Sequence, residues 1–304
     1  MTLNGTVKQV LRLSSALASA AMVLLAANAS MAAEYETNAQ QAFLVDFGTN
    51  TVLYEKAADD LMAPASMSKI MTVYMVFENL SSGELSLDDT MPISEKAWRM
   101  GGSKMFVEVG KAARLEDLLR GIIVQSGNDA CIVVAESLAG TEGAFADQMT
   151  IRARQLGLTH STFRNSTGWP DPEHQMTARE LGQLAGILIE KFPDYYRYFA
   201  EKNFTYNGIK QGNRNPLLYK DIGADGLKTG YTEASGYGLT TSVERNGRRL
   251  ILVVNGLESV LERGQEAERL IAWGYRTFNN YTLFRAGETV DEASVWLGES
   301  ALVP

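Results

Sequence analysis

Pro64-Ala65-Ser66-Met67-Ser68-Lys69 runs straight into Ile70-Met71-Thr72-Val73-Tyr74-Met75-Val76-Phe77. An apolar run thus begins just behind a serine, with a lysine three residues beyond that serine. Residues three apart share one face of a helix, so Ser66 and Lys69 are predicted to point the same way from one helical turn. A serine hydroxyl needs a base before it becomes a nucleophile. An amine can be that base when burial or nearby cations bring its pKa toward neutrality. Alone the pattern is weak, since Ser-x-x-Lys is expected about once in a chain of this length, and Ser66 could equally cap a core helix. Pro64 stands where a helix start tolerates proline. Met67, Met71 and Met75 recur every four residues, which reads as a buried stripe on a helix at the centre of its domain.

Upstream, Ala42 to Phe47, the turn Gly48-Thr49-Asn50 and Thr51 to Glu55 read as a hairpin. Downstream, Leu85 to Ile93 reads as a polar connector and Arg99 to Lys104 as a loop. Leu115 to Val124, Ala130 to Ala139 and Gly143 to Leu156 carry helical period, with Gln125 to Asp129 as a polar break. Asn165 to Glu173, with Gly168, Pro170 and Pro172, is a loop. Thr177 to Phe192 is a helix opening on a capping box, Thr177 with Glu180. The period then shortens: Phe204 to Tyr206, Tyr237 to Val243 and Leu250 to Val254 are strand-like, with Arg245-Asn246-Gly247-Arg248 as a hairpin turn. Glu262 to Phe278 is a closing helix. Strands at both chain ends with helices between them predict an α/β chain of the α+β kind, an antiparallel sheet packed with a helical cluster. From Asn280 the character changes. Tyr281 to Ala286 and Val290 to Leu297 look like short strands opening a second, β-rich unit that is cut short at Pro304.

The chain has 304 residues, enough for a sizeable core. Lys8 and Arg12, the apolar stretch Ala16 to Ala27, and the small residues up to Ala32 have the layout of a secretory signal peptide, with cleavage after Ala32 or Ala33. The expected division is residues 1–33 as signal, 34–279 as the main domain, and 280–304 as the start of the truncated unit. Losing residues 1–32 takes the net charge from −8 to −10, because they hold two basic and no acidic residues. That balance argues against nucleic acid or an anionic membrane as a general partner. Cys131 is the only cysteine, so no internal disulfide exists. No Cys/His spacing suggests zinc, and no Gly-x-Ser-x-Gly elbow is present. No cofactor or metal is implied. His160 and His174 read as surface residues, and Cys131 as a small buried hydrophobe near the site, the alternative being that bulky thiol reagents slow acylation.

Two further signatures follow the first in order: Ser126-Gly127-Asn128, then Lys228-Thr229-Gly230. Each has a physical task. Lys228 is the cation expected to keep Lys69 neutral by repulsion and to attract an anionic substrate. Ser126 can relay a proton to a leaving group. Asn128 offers a donor and an acceptor to a substrate amide. Thr229 and Gly230 on a strand edge would let substrate backbone pair there.

These motifs, together with Pro64-Ala65-Ser66, Gln125 to Ala130, Gln211-Gly212-Asn213-Arg214-Asn215 and Asp225 to Thr232, resemble the low-molecular-mass penicillin-binding proteins, serine-type D-alanyl-D-alanine carboxypeptidases of the bacterial cell wall. The resemblance spans residues 35 to 300. It implies a β-lactamase/transpeptidase-like fold, a periplasmic enzyme, removal of terminal D-alanine from peptidoglycan stem peptides, and acylation by β-lactam antibiotics. Carried over by position, Ser66 is the nucleophile, Lys69 the proton acceptor and Ser126 a third catalytic residue. Asn128, Lys228, Thr229, Gly230, Tyr231 and Arg263 become substrate-binding residues, with Ser66 and Tyr231 supplying oxyanion N–H groups. Arg263 matches least closely, and Arg214 is either a cleft residue or a turn stabiliser. A C-terminal amphipathic anchor, usual in this family and not present in this chain, would hold such a protein at the inner membrane. The middle motif has Gly127 where the broader pattern has Asp, and no Glu-x-x-Leu-Asn occurs, which speaks against a β-lactamase. Two alternatives remain: a D,D-endopeptidase that cuts cross-links, and a protein that binds penicillin or peptidoglycan without turnover.

Overall fold

The computed structural model describes residues 35–285, 287–291, 293–294 and 302–303. The segment read as a signal peptide lies outside them. β1 (Gln41–Asp46) and β2 (Thr51–Lys56) form the expected hairpin. A 3-10 turn, Ala65–Ser68, leads into α1 (Lys69–Ser82). β3 (Thr90–Pro92), α2 (Glu95–Arg99) and β4 (Ala112–Arg114) follow, β3 pairing with β4. The stretch read as a polar connector therefore holds a short strand, too short and too polar to show a period. Then come α3 (Leu115–Ile123), α4 (Asn128–Ala139), α5 (Glu142–Gln155), α6 (Ala178–Lys191) and α7 (Pro193–Tyr196).

β5 (Asn203–Tyr206) pairs with β6 (Ile209–Gly212) as a separate ribbon. Phe204 to Tyr206 is a strand as predicted, but it stands outside the main sheet. β7 (Ala224–Thr232), β8 (Gly236–Arg245) and β9 (Arg248–Leu257) join the first hairpin in an antiparallel sheet of order β2-β1-β9-β8-β7. The sheet is thus assembled from both ends of the chain. The β8–β9 turn carries Asn246 and Gly247 at positive φ, as a two-residue hairpin turn requires. α8 (Val260–Thr277) closes the fold. Tyr281 to Arg285 is irregular, contrary to the strand expected there, and β10 (Ala293–Ser294) pairs with β11 (Leu302–Val303). The tyrosine and leucine that suggested a strand, Tyr281 and Leu283, are 81% and 83% exposed, with no sheet to receive them.

Alternation along β1 assigns the helices to two faces. Gly182 of α6 abuts Phe43, and Gly274 of α8 abuts Leu44. The glycines bring each helix close to the sheet. α1 touches α3, α4, α5, α6 and β7. Ile70, Met71, Val73, Tyr74, Val76 and Phe77 are all buried, so this is the central helix that an apolar run on every face demands. Thr177 caps α6 through Glu180 N–H (3.1 Å), but the reciprocal half of the capping box is replaced. The Glu180 carboxylate instead accepts from His160 N–H (2.8 Å) and Ser161 Oγ (2.5 Å).

Candidate active site

Ser66 sits in the 3-10 turn ahead of α1, where three residues complete a turn and positions i and i+3 eclipse. Lys69 is the first residue of α1, fully buried beneath Ser66, with Nζ 2.8 Å from Ser66 Oγ. The same Nζ meets Asn128 Oδ1 at 2.8 Å and the Thr167 carbonyl. An ammonium would donate to all three. A neutral amine donates to the two carbonyl-type oxygens, which cannot donate back, and its lone pair is left for the one partner that carries a proton, the Ser66 hydroxyl.

The Thr167 carbonyl is placed by a loop folded on one side chain. Asn165 Oδ1 accepts from the N–H groups of Thr167, Gly168 and Trp169 and from Thr167 Oγ1, at 2.8 to 3.1 Å. Gly168 adopts φ +76°, and a Cβ there would stand 1.9 Å from the Ala65 carbonyl oxygen. The loop therefore lies directly against the turn that carries Ser66.

The second motif lies between α3 and α4. Ser126 has φ +60°, and its Oγ accepts from Lys228 Nζ at 2.9 Å. Helix α4 begins at Asn128, two residues earlier than its apolar run. The buried Asp129 carboxylate next door accepts from Met105, Phe106 and Val107 N–H at 2.9 to 3.2 Å. Asn128 N–H donates to the Ser103 carbonyl at 2.7 Å, so the Gly101–Lys104 loop is tied down as one wall. The third motif is part of β7 itself, the open edge of the sheet, where Thr229 and Gly230 were expected. A Cβ on Gly230 would meet the Pro64 carbonyl at 2.8 Å. Here the glycine lets the strand press on the Ser66 turn.

Ser66, Ser126, Asn128, Thr229, Gly230, Tyr231 and Arg263 line one cleft of about 940 Å3. Lys69 and Lys228 lie buried beneath it. Tyr231 stacks on Tyr237 with centroids 4.2 Å apart, and Arg263 holds the other face of that site, 5.8 Å over the Tyr237 ring. Arg214 donates to Ser103 Oγ at 2.6 Å and so belongs to the cleft wall. Among the described residues, Lys69, Lys228, Arg214 and Arg263 have no carboxylate within salt-bridge distance. Burial brings the Lys69 amine down to about 8, helped by Arg214. Lys228 is pushed well down, first by burial and then by Lys69. The expected repulsion between the two lysines thus acts on Lys228, while burial dominates at Lys69. Burial also brings Arg263 down to about 10 and lowers Arg214. The site carries positive charge reluctantly, so one amine is available as a base, and only Lys69 touches Ser66.

A family model described as D-alanyl-D-alanine carboxypeptidase, of the serine peptidase S11 group, matches residues 27–259. The D-alanyl-D-alanine carboxypeptidase DacC of Escherichia coli is 37% identical over 298 residues, covering 94% of this chain and 74% of that protein. The chain belongs to this family of serine carboxypeptidases. DacA of Haemophilus influenzae is 36% identical over 87% of this chain and 68% of its own length. The structure of penicillin binding protein 5 from H. influenzae superposes with a TM-score of 0.84 at 35% identity, covering 88% of this chain and 80% of that one. Penicillin-binding protein D2 of Listeria monocytogenes, solved in an ampicillin-bound form, gives 0.73 at 28% identity over 80% of this chain and 99% of its own.

In this carboxypeptidase one histidine differs from expectation. His160 is exposed as expected, with Glu180 Oε1 at 3.0 Å from its Nδ1. His174 is 2% exposed rather than at the surface. The loop after Pro172 folds inward, and His174 packs edge-on against Phe163. Burial pulls its pKa down to about 4. Its Nδ1 accepts from Arg164 N–H, which leaves the proton on Nε2, and that buried atom has no partner among the described residues. Cys131 is fully buried, and burial pushes its thiol up to about 12, so it is not a nucleophile. Sequence reasoning missed Thr167, Asn165 and Asp129. Thr167 acts through a backbone carbonyl, which leaves no residue-type signature. Asn165 and Asp129 did stand beside conspicuous loop and motif residues.

Proposed function

We propose that the carboxypeptidase is exported behind residues 1–33 and that its catalytic domain, residues 34–279, removes the terminal D-alanine from peptidoglycan pentapeptide stems through an acyl-enzyme on Ser66. The observation that carries this reading is the Lys69 amine, buried without a carboxylate and 2.8 Å from Ser66 Oγ. Ser66 Oγ attacks the carbonyl carbon of the penultimate D-alanine while its proton passes to Lys69 Nζ. The oxyanion that forms is held by the N–H groups of Ser66 and Tyr231. Collapse breaks the C–N bond. The departing amine takes a proton relayed through Ser126, which lies beside Lys228, and free D-alanine leaves. Water then cleaves the ester, with the Lys69 amine again as base, and Ser66 recovers its proton. The terminal carboxylate of the substrate sits among Thr229, Arg263 and the charge of Lys228. Asn128 meets the peptide amide. A β-lactam enters the same way: its strained amide opens on Ser66, and the amine stays tethered to the acyl group instead of leaving.

The test is a mass time course of the mature protein with penicillin, run beside D-alanine release from a pentapeptide. The wild type is expected to gain the mass of one penicillin and to release D-alanine, and Ser66→Ala to do neither. D-alanine release surviving in Ser66→Ala would reject the mechanism. Penicillin labelling with no turnover of either pentapeptide or cross-linked dimers would favour a non-turnover binder, and cleavage of the dimers to monomers without D-alanine release from the pentapeptide would favour an endopeptidase.

A further inference from the structure

The loop that supplies the Thr167 carbonyl is fixed at a second point, one residue before Thr167. Every polar group of Ser166 is bound. Its carbonyl accepts from Thr72 Oγ1 at 2.7 Å. Thr72 stands three residues after Lys69 and so shares its face of α1. On the other side, Ser166 N–H (3.2 Å) and Oγ (2.9 Å) both donate to Glu142 Oε1. Ser166 and Thr72 are fully buried, and the Glu142 side chain is 12% exposed.

Glu142 opens α5, where the helix dipole alone favours an acid. That does not require the carboxylate to turn inward to a loop 24 residues on, as it does here. Its other oxygen, Oε2, meets Lys96 Nζ of α2 at 2.8 Å, with the lysine side chain 55% exposed. One carboxylate thus joins α2, α5 and the loop that holds the acceptor for Lys69. Burial dominates at Lys69, but the Glu142 charge also reaches the amine and favours its ammonium form, as does Asp129. The groups that act on or feel the Lys69 charge are Asp129 and Cys131 from α4, Glu142 from α5, Lys228 from β7, Arg214 from the cleft wall and His174 from the loop. Among them Glu142 is the one joined to an exposed lysine.

We propose that Glu142 is a positioning residue for acylation, holding Ser166 so that the Thr167 carbonyl stays on Lys69 Nζ, and that Lys96 balances its charge from the surface. This role presupposes the acyl-enzyme reading above and adds the residues that hold its base in place. In Glu142→Gln the amide oxygen can still accept from Ser166 but the charge is lost, so the Lys69 amine becomes neutral at lower pH. In Lys96→Met the carboxylate stands uncompensated, and the amine becomes neutral only at higher pH. A merely structural contact would move both variants the same way or not at all.

Penicillin acylation of the mature protein is followed from pH 5 to 10 with a fluorescent penicillin, for the wild type, Glu142→Gln, Lys96→Met and Glu142→Ala, with thermal melting reporting that each is folded. The midpoint of the rate should fall by about half a pH unit in Glu142→Gln and rise by about as much in Lys96→Met, a small shift because neither charge touches the amine. Glu142→Ala strands both donors of Ser166. It should lower the plateau rate about tenfold, the scale of one hydrogen bond to a charged group, and Glu142→Gln should recover most of that loss. If Glu142→Ala does not fold, the two midpoints decide. An unchanged plateau in folded Glu142→Ala, or midpoints that stay put or move in the same direction, overturns the role of Glu142 and leaves the acyl-enzyme reading standing. No acylation of the wild type overturns that reading and the role with it.

Discussion

Strand β9 begins and ends among arginines, and the two ends treat them in opposite ways. At its start, Arg248 meets Asp46 at 2.6 Å and Arg249 meets Asp225 at 2.6 Å, with Glu244 also on Arg249. Beyond its other end, Arg263 enters from α8 and meets the Arg214 carbonyl at 3.3 Å and the Tyr237 ring, with no carboxylate partner among the described residues. Lys69 and Lys228 lie in the same unpaired company. Charge that is neutralised within the chain ties the sheet together. Charge buried without a counter-ion costs stability, and it is kept where a ligand or a reaction supplies what is missing.

The sharpest way to break this comparison is Lys69→Met. D-alanine release should fall at least about a thousandfold, roughly 4 kcal/mol of barrier, while thermal stability should change little, because losing an unpaired buried charge offsets the two acceptors left at Asn128 and Thr167. A fall in both would place Lys69 with the structural cations. At the opposite end, Asp46→Ala should do the reverse. Stranding Arg248 should cost about 3 kcal/mol in denaturant unfolding, with kcat/KM per folded molecule unchanged.

The third prediction concerns pH. In the proposed acylation step the base is the neutral Lys69 amine, whose pKa burial has brought down to about 8. Below that value the neutral fraction drops about tenfold per pH unit, so penicillin acylation at pH 6 should run about a hundredfold slower than at its plateau. The apparent value belongs to both lysines together. A rate flat from pH 6 to 9 would remove Lys69 as the base. The smallest effect is expected for Arg263→Gln. It should raise KM for the peptide about tenfold, the scale of one hydrogen bond to a charged group, and leave kcat nearly unchanged. A matching loss in an amide-terminated peptide would show that Arg263 does not read the carboxylate.

What could be read from the sequence follows from the same physics. Ser66 and Lys69 are legible because an eclipsed i, i+3 pair is local. Four of the five strands of the sheet are legible from the early hairpin and the Asn246-Gly247 turn. β7 as a full strand is not, because Gly226 and Gly230 interrupt its pattern, and glycine is there to admit neighbouring groups rather than to favour a strand. Arg214 and Arg263 stand 49 residues apart, and only the tertiary fold makes them neighbours. His174 misleads for a related reason. A polar residue two after a proline reads as solvent-facing, and nothing local reports that the loop turns back under itself.

Gly168 bears on how this site can change. With the Ala65 carbonyl oxygen 1.9 Å from where any side chain would begin, the segment holding the Thr167 carbonyl and the segment holding Ser66 lie so close that position 168 takes no side chain unless one of them moves. Variants that exclude an inhibitor by enlarging position 168 would disable the enzyme along with it. Escape through adaptation should therefore be found at Glu233 and Ala234, exposed residues beyond the Tyr231 N–H.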